Sequence, residues 1–258
     1  KDKILSSAGG AAQPNISPKE IENFQIPLPP LDIQKKIADT LDKAQELIDK
    51  RKEQISTLDK FLENLFLDMF GDPVSNPMGW TISYIEQLVL NEKGSIKRGP
   101  FGGALKKEIF VSEGYLVYEQ YHALNNDFSF ERYYITEKKF NELKGFEVKE
   151  GDIIISCSGV YLGKLAVIPK NHKKGIINQA LLKISLNENK MKNIFYKFIF
   201  THPNFKNKYF ANTNGSGIPN FPSMEEFKKF EFILPPLNLQ NQFASIVEKV
   251  EAEKIKLE

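Results

Sequence analysis

The chain has 258 residues, 41% apolar and 26% charged, with a net charge of +2, a globular balance that excludes wholesale disorder and predicts one large or two modest domains. One cysteine, Cys157, excludes an internal disulfide and a multi-cysteine zinc site, and the scattered His122, His172 and His202 argue against a histidine metal centre. No apolar run approaches the roughly 18 residues that span a bilayer, and residues 1–10 lack a signal-peptide core, so a soluble cytoplasmic protein with no membrane contact is expected.

In chain order, residues 1–30 end in an apolar, strand-like stretch from Phe24 to Leu28. It runs into Pro29-Pro30, which can continue neither a ladder nor a helix interior. Asp32 is placed to cap the helix that follows. Positions 37, 41, 44, 48, 51, 55, 58, 62, 65 and 69 then alternate steps of four and three, and only Arg51 among them is polar. Such a seam predicts a coiled-coil helix over 31–72 with Leu41, Ile48, Ile55, Leu58, Leu62 and Leu65 at the interface. Arg51 would set register against an acid on the partner helix. At ~1.5 Å per residue the helix spans about 58 Å, too long to be buried in a globule of this size. Phe70-Gly71-Asp72-Pro73 stops it.

Residues 73–236 read as short strands separated by turn residues. Val148 to Ser156 predicts strand, turn, strand; Gly163 to Ile168 and Gly175 to Leu186 predict further strands; residues 189–212 predict helix. The segment 237–258 opens a second seam at Phe243, Val247 and Val250. The fold class is therefore α+β: a strand-rich domain joined to long coiled-coil-forming helices.

The junction between strand and helix occurs twice. Gly10, Pro14-Asn15, Glu20, Phe24, Leu28-Pro29-Pro30-Leu31, Gln34, Ala38 and Lys43 match Gly215, Pro219-Asn220, Glu226, Phe230, Leu234-Pro235-Pro236-Leu237, Gln240, Ala244 and Lys249. The spacing is 205 residues, then 206 after one insertion. A period this long is a duplicated large unit rather than a solenoid.

Charge is unevenly spread. Residues 31–70 and 80–152 are each net −2, whereas residues 153–224 carry 10 basic side chains against the single acid Glu188. That block suggests a polyanion-facing surface.

Catalytic constellations are missing. There is no Walker-type phosphate loop, no Asn/Asp-Pro-Pro-aromatic tetrapeptide for base methylation and no histidine paired with Ser158 as a nucleophile. Asp127 with Glu147-Val148-Lys149 is the nearest approach to a nuclease triad, and Val148 reads there as an ordinary hairpin residue.

Taken together, Ile26 to Gln34, its echo Phe232 to Gln240, Gly79-Trp80, Gly99 to Lys106 and Gly151-Asp152-Ile153 resemble the DNA-specificity subunit of type I restriction-modification enzymes. The resemblance implies a tail of a first target-recognition domain over 1–30, a spacer helix over 31–72, a target-recognition domain over 73–236 and the start of a second helix over 237–258. It implies a non-catalytic subunit of a restriction endonuclease and adenine methyltransferase complex, reading one half of a bipartite duplex. Modification subunits would dock on it and bring S-adenosylmethionine, and a motor and nuclease subunit would bring ATP and Mg; this chain itself would bind no cofactor. A half-subunit would pair as a homodimer. The alternative kept open is a coiled-coil assembly protein with a protein-binding strand-rich domain.

For DNA contact the expected residues are Lys97, Arg98, Phe101, Lys106 and Lys107 on the glycine-rich loop, arginine for guanine and lysines for phosphate. Gln120 and Tyr121, beside Tyr118 and His122, form a polar-aromatic strand end where glutamine could read adenine. Ser158, Tyr161 and Lys164 follow the Gly-Asp hairpin. Lys173, Lys174, Asn178 and Gln179 lie in the basic block, and Asn214 and Ser216 in the polar loop before the repeated strand.

Overall fold

The computed structural model describes residues 16–101, 103–210 and 220–257. The chain divides into two compact units, residues 1–54 and 55–258.

In the first unit α1 (Pro18–Glu22) leads through an extended segment into α2 (Leu31–Phe70). The Pro30 carbonyl takes the N–H groups of Ile33 and Gln34 at 3.0 Å each, closing the first turn after the prolines. Gln34 Nε2 folds back and donates to the Pro29 carbonyl at 2.7 Å. The apolar side chains here stay in solvent: Ile26, Leu28 and Leu31 are 77%, 80% and 73% exposed. Ile37, Leu41 and Ile48 of the seam are exposed as well, and so is Arg51.

In the second unit the chain continues through β1 (Thr81–Tyr84), the single turn α3 (Ile85–Leu88), β2 (Ile96–Arg98), β3 (Tyr115–Tyr118), α4 (Gln120–Asn125), β4 (Tyr134–Ile135) and α5 (Glu137–Glu142). Then come β5 (Ile153–Ser156), β6 (Leu165–Val167), β7 (Gly175–Ile177), β8 (Leu181–Ile184), α6 (Asn193–Thr201), α7 (Pro203–Phe210), α8 (Met224–Phe227), β9 (Glu231–Leu234) and α9 (Leu237–Leu257). The strands form three sheets, β1-β9, β2-β8-β5-β6 and β4-β3-β7, with β3 and β7 parallel and the other pairs antiparallel.

β5 explains the unbroken Ile153-Ile154-Ile155. Ile153 and Ile155 face a phenylalanine-rich core, and Ile154 faces Leu116 and Tyr118 of β3, so both faces are buried and alternation vanishes. The first core gathers Phe66 and Phe70 from α2, Phe195 and Phe200 from α6, Phe205 from α7, and Phe232 and Phe243 from the repeated junction. Phe66 meets Phe195, Phe198 and Phe243 at 5.7 Å between ring centroids, tilted, stacked and edge-on respectively, within the separations aromatic pairs favour.

Several sequence expectations change. The span Gly175 to Leu186 is not one strand: it breaks at residues 178–180, where the chain leaves one sheet and enters another. The predicted helix over 189–212 is two helices parted at His202, because Pro203 cannot continue the first. Val148 lies outside the strands, whereas α2 ends at Phe70, where the Phe70-Gly71-Asp72-Pro73 stop places it.

The seam also divides. Leu62 is buried in the unit's own core, and the last turns present Phe66 and Phe70 at steps of four, a stripe that the 3–4 alternation passes over. Leu65 is half-buried against the same core, and Ile55 and Leu58 are half-buried. Here the neighbour is α9. Phe243 meets Phe66 and Phe70 while Lys254 pairs with Asp59 at 2.7 Å, so the residue order runs oppositely and the two helices are antiparallel.

Candidate nucleic-acid interface

Four loops converge where β2, β3, β5 and β7 end. Gly99 N donates to the Leu181 carbonyl, Asn178 N to Tyr118, Cys157 N to Ala180 and Phe221 N to Cys157, each at 2.8–2.9 Å. Gly99 is needed at this crossing: a Cβ there would stand 1.8 Å from the Asn178 carbonyl oxygen. Asn178 builds the turn, its Oδ1 accepting the Ala180 N–H at 3.0 Å.

On this frame sit Arg98, Phe101, Gln120, Ser158, Asn178 and Gln179. The Arg98 guanidinium lies 5.8 Å from the Phe101 ring centroid, and its Nε is buried without a partner among the described residues. Gln120 Nε2 donates to Ser156 Oγ and to the Ser158 carbonyl, both at 2.6 Å. Phe101, Val160 and Tyr161 are exposed at 68%, 85% and 55%, an unusual concentration of bare apolar surface on adjoining loops. Beside them Cys157 is buried, which pushes its thiol up to about 12 despite the opposing charge of Arg98.

A family model, "Type I restriction modification DNA specificity domain", matches residues 1–59 and 101–258. The chain belongs to this family. It is similar to the Type I restriction enzyme MjaIX specificity subunit of Methanocaldococcus jannaschii, 23% identical over 93% of this chain and 57% of that protein. Among solved structures, a chain from work on complex assembly and conformational transition of the type I R-M system is similar with a TM-score of 0.59 at 17% identity, covering 99% of this chain and 62% of that one. The type I S subunit from M. genitalium gives a TM-score of 0.57 at 15% identity, with 99% and 64% covered. The chain thus spans about three fifths of these relatives' length.

Within this specificity domain the other expected residues are placed apart. Strand alternation turns Lys97 away from Arg98, and its Nζ lies 5.0 Å from the Phe146 ring centroid. Lys106 and Lys107 are exposed at the 3-10 turn Lys107–Ile109, with no carboxylate within 4 Å among the described residues. Tyr121 lies 4.1 Å from Phe130 between ring centroids and donates its hydroxyl to Asp127. Asp127 itself holds a turn through Ser129, and Glu147 pairs with Lys174, so the acids of the nuclease-like triplet are engaged separately. His122 is fully buried and held by the backbone: Nδ1 accepts from Glu119 N at 2.9 Å and Nε2 donates to the Phe130 carbonyl at 2.9 Å. Asn214 and Ser216 lie outside the described residues. Among the described residues no group of three His, Cys, Asp or Glu could hold a metal, and no helix is long and apolar enough to cross a membrane.

Part of the basic block is paired with acids from elsewhere in the chain. Lys173 pairs with Glu131 at 2.9 Å, Lys174 with Glu147 at 3.8 Å, Lys183 with Asp152 at 3.2 Å and Lys208 with Glu231 at 2.7 Å. All four acids come from outside the block. Lys173 and Lys174 also precede β7, at the opposite strand end from Asn178. Lys164 and Lys206, by contrast, have no carboxylate within 4 Å among the described residues. Burial and the charge of Lys164 hold the Lys206 ammonium below its ordinary value. Sequence reading misses Lys206 because it sits on α7, distant in sequence from the loops, and only its fold brings it beside Lys164.

Proposed function

We propose that this chain is the sequence-reading part of a type I specificity subunit, and that duplex DNA lies across the ends of β2, β3, β5 and β7. The observation that carries this reading is the shared frame holding Arg98, with an unpartnered buried Nε, and Gln120 beside exposed Phe101 and Tyr161. Base edges in a major groove are read by such fixed polar groups, and phosphates by unpaired lysines such as Lys164 and Lys206. In this reading the domain recognises one half of a bipartite target and is not itself catalytic. Modification subunits dock on the helices, and S-adenosylmethionine, ATP and Mg belong to partners.

The first junction supports a second recognition body. Gln34 to Pro29 repeats Gln240 to Pro235, and Phe24 N to Ile21 O repeats Phe230 N to Phe227 O. Yet Phe232 and Phe243 are fully buried where their counterparts Ile26 and Ile37 are exposed. Residues 16–30 therefore fit the tail of a first recognition domain, whose body would cover Ile26 and Leu28 as β1 covers β9.

Selection from a random duplex pool tests the reading. Enrichment of one short sequence by the purified chain is expected; recovery without enrichment would overturn it.

A further inference from the structure

We propose, building on the DNA-binding reading above, that Gln120 is a specificity-determining residue that reads an exocyclic base amine through its carbonyl oxygen alone. The usual glutamine contact to adenine is bidentate: the amide oxygen accepts from N6 and the amide nitrogen donates to N7. In this fold the second half of that contact is closed. Both Nε2 hydrogens are committed, one to Ser156 Oγ and one to the Ser158 carbonyl, at 2.6 Å each. The orientation is fixed by chemistry. A backbone carbonyl only accepts, so the flipped amide would set two oxygens against each other at Ser158.

The remaining group is Oε1, which accepts from no described residue, on a half-buried side chain at the open end of the frame. Both anchors are themselves tied down. Ser156 is fully buried in β5, and Ser158 bridges to Asn220. A rigid, acceptor-only group cannot adapt to the acceptors of guanine N7 and O6 or thymine O4. It matches adenine N6 or cytosine N4 in the major groove. The position facing Gln120 is therefore restricted to a base presenting an amine there, with adenine and cytosine separated by neighbouring contacts.

The test uses the full chain and the sequence enriched from a random duplex pool. Gln120→Met keeps length and removes the acceptor, and a thermal melt matching the parent shows that it folds. The expected result is a selected sequence in which one position relaxes from A or C to all four bases while the others persist. At that position, deleting the exocyclic amine from the duplex should weaken the parent roughly 2- to 12-fold, the effect of one neutral hydrogen bond, and the variant hardly at all. If the base is adenine, replacing N7 by carbon should leave parent and variant affinities in unchanged ratio. An unchanged selected sequence for Gln120→Met, or an N7 replacement that hurts the parent alone, would overturn the proposal while leaving DNA reading intact. A parent that enriches nothing would overturn both. Should Gln120→Met melt early, the parent alone gives the readout on modified duplexes: weakening on deletion of the amine supports the carbonyl contact, and no weakening there, or weakening on replacement of adenine N7 by carbon, contradicts it.

Discussion

The indole N–H of Trp80 donates to the carbonyl oxygen of Phe70 at 2.9 Å, so the start of the recognition domain caps the last turn of the long helix. Asn76 locks Trp80 from both sides, Oδ1 accepting its N–H at 2.8 Å and Nδ2 donating to its carbonyl at 2.7 Å. Gly71 takes the left-handed φ of +73° that this helix end requires. Asp72 then accepts the N–H groups of Val74 and Ser75 at 2.9 Å each and the Asn204 amide from α7. The helix end and the domain are thus one joint, which a spacer must have if its length is to set a distance.

Trp80→Phe keeps the ring but leaves a helix carbonyl uncapped, and should cost about 1 kcal/mol in urea unfolding. Asp72→Ala should cost a similar ~1 kcal/mol. Burial raises the Asp72 carboxyl, but the hydrogen bonds from Ser75, Asn204 and Val74 outweigh it and leave it below its ordinary value of 3.8. A depressed folded value means that its contribution is present above that pH and is lost as pH falls through the folded value. The two proteins should therefore converge in stability in strong acid and differ at neutral pH.

Gly99→Ala should force β2 away from the 178–180 turn, since the added methyl would overlap the Asn178 carbonyl. An overpacking cost of about 1–3 kcal/mol is expected, together with loss of preference between the enriched duplex and a scrambled one. Parent-like discrimination with unchanged melting would show that this crossing does not organise the interface.

Much of the architecture is legible in the sequence, for identifiable reasons. Leu-Pro-Pro-Leu-x-x-Gln marks break and helix start through proline chemistry that no tertiary context reverses, and both copies make the same glutamine-to-proline hydrogen bond. The strand expected before it forms only in the second copy, where β1 pairs with it. The heptad pattern describes the helix but not its last turns, because a 3.5 period and a 3.6 period diverge slowly and Phe66 and Phe70 win the core packing. Arg98 and Gln120 can be singled out because loop glycines and polar-aromatic strand ends leave local patterns. Within the lysine block, charge counted along the chain cannot tell Lys164 and Lys206 from Lys173 and Lys174, because it cannot see Glu131 and Glu147 folding back onto the latter pair.

Salt dependence separates the two lysine pairs. Replacing Lys164 and Lys206 by alanine should weaken all duplexes alike and flatten the log-affinity against log-salt slope by about 0.9 for each phosphate no longer neutralised. The same change at Lys173 and Lys174, whose charges are already paired, should leave the slope nearly unaltered. A larger slope change at Lys173 and Lys174 would move the interface to the opposite strand end.

Cys157 should resist alkylation in the folded chain. With its thiol pushed up to about 12 by burial, about one molecule in ten thousand carries thiolate at pH 8. Iodoacetamide should label it rapidly only in denaturant, and DNA should not change that; fast labelling of the native chain would show that the 156–158 strand end opens.

Backbone hydrogen exchange with the enriched duplex measures directly where DNA lies on the domain. DNA-dependent protection is predicted in peptides covering 98–101, 119–121, 156–161 and 178–180, to be lost with Arg98→Ala at equal duplex concentration. Arg98→Ala should also cost roughly 1–3 kcal/mol on the enriched site and little on random duplex. Protection confined to residues 170–174 or to α9, with these four segments exchanging as in the free chain, would put the DNA on another face.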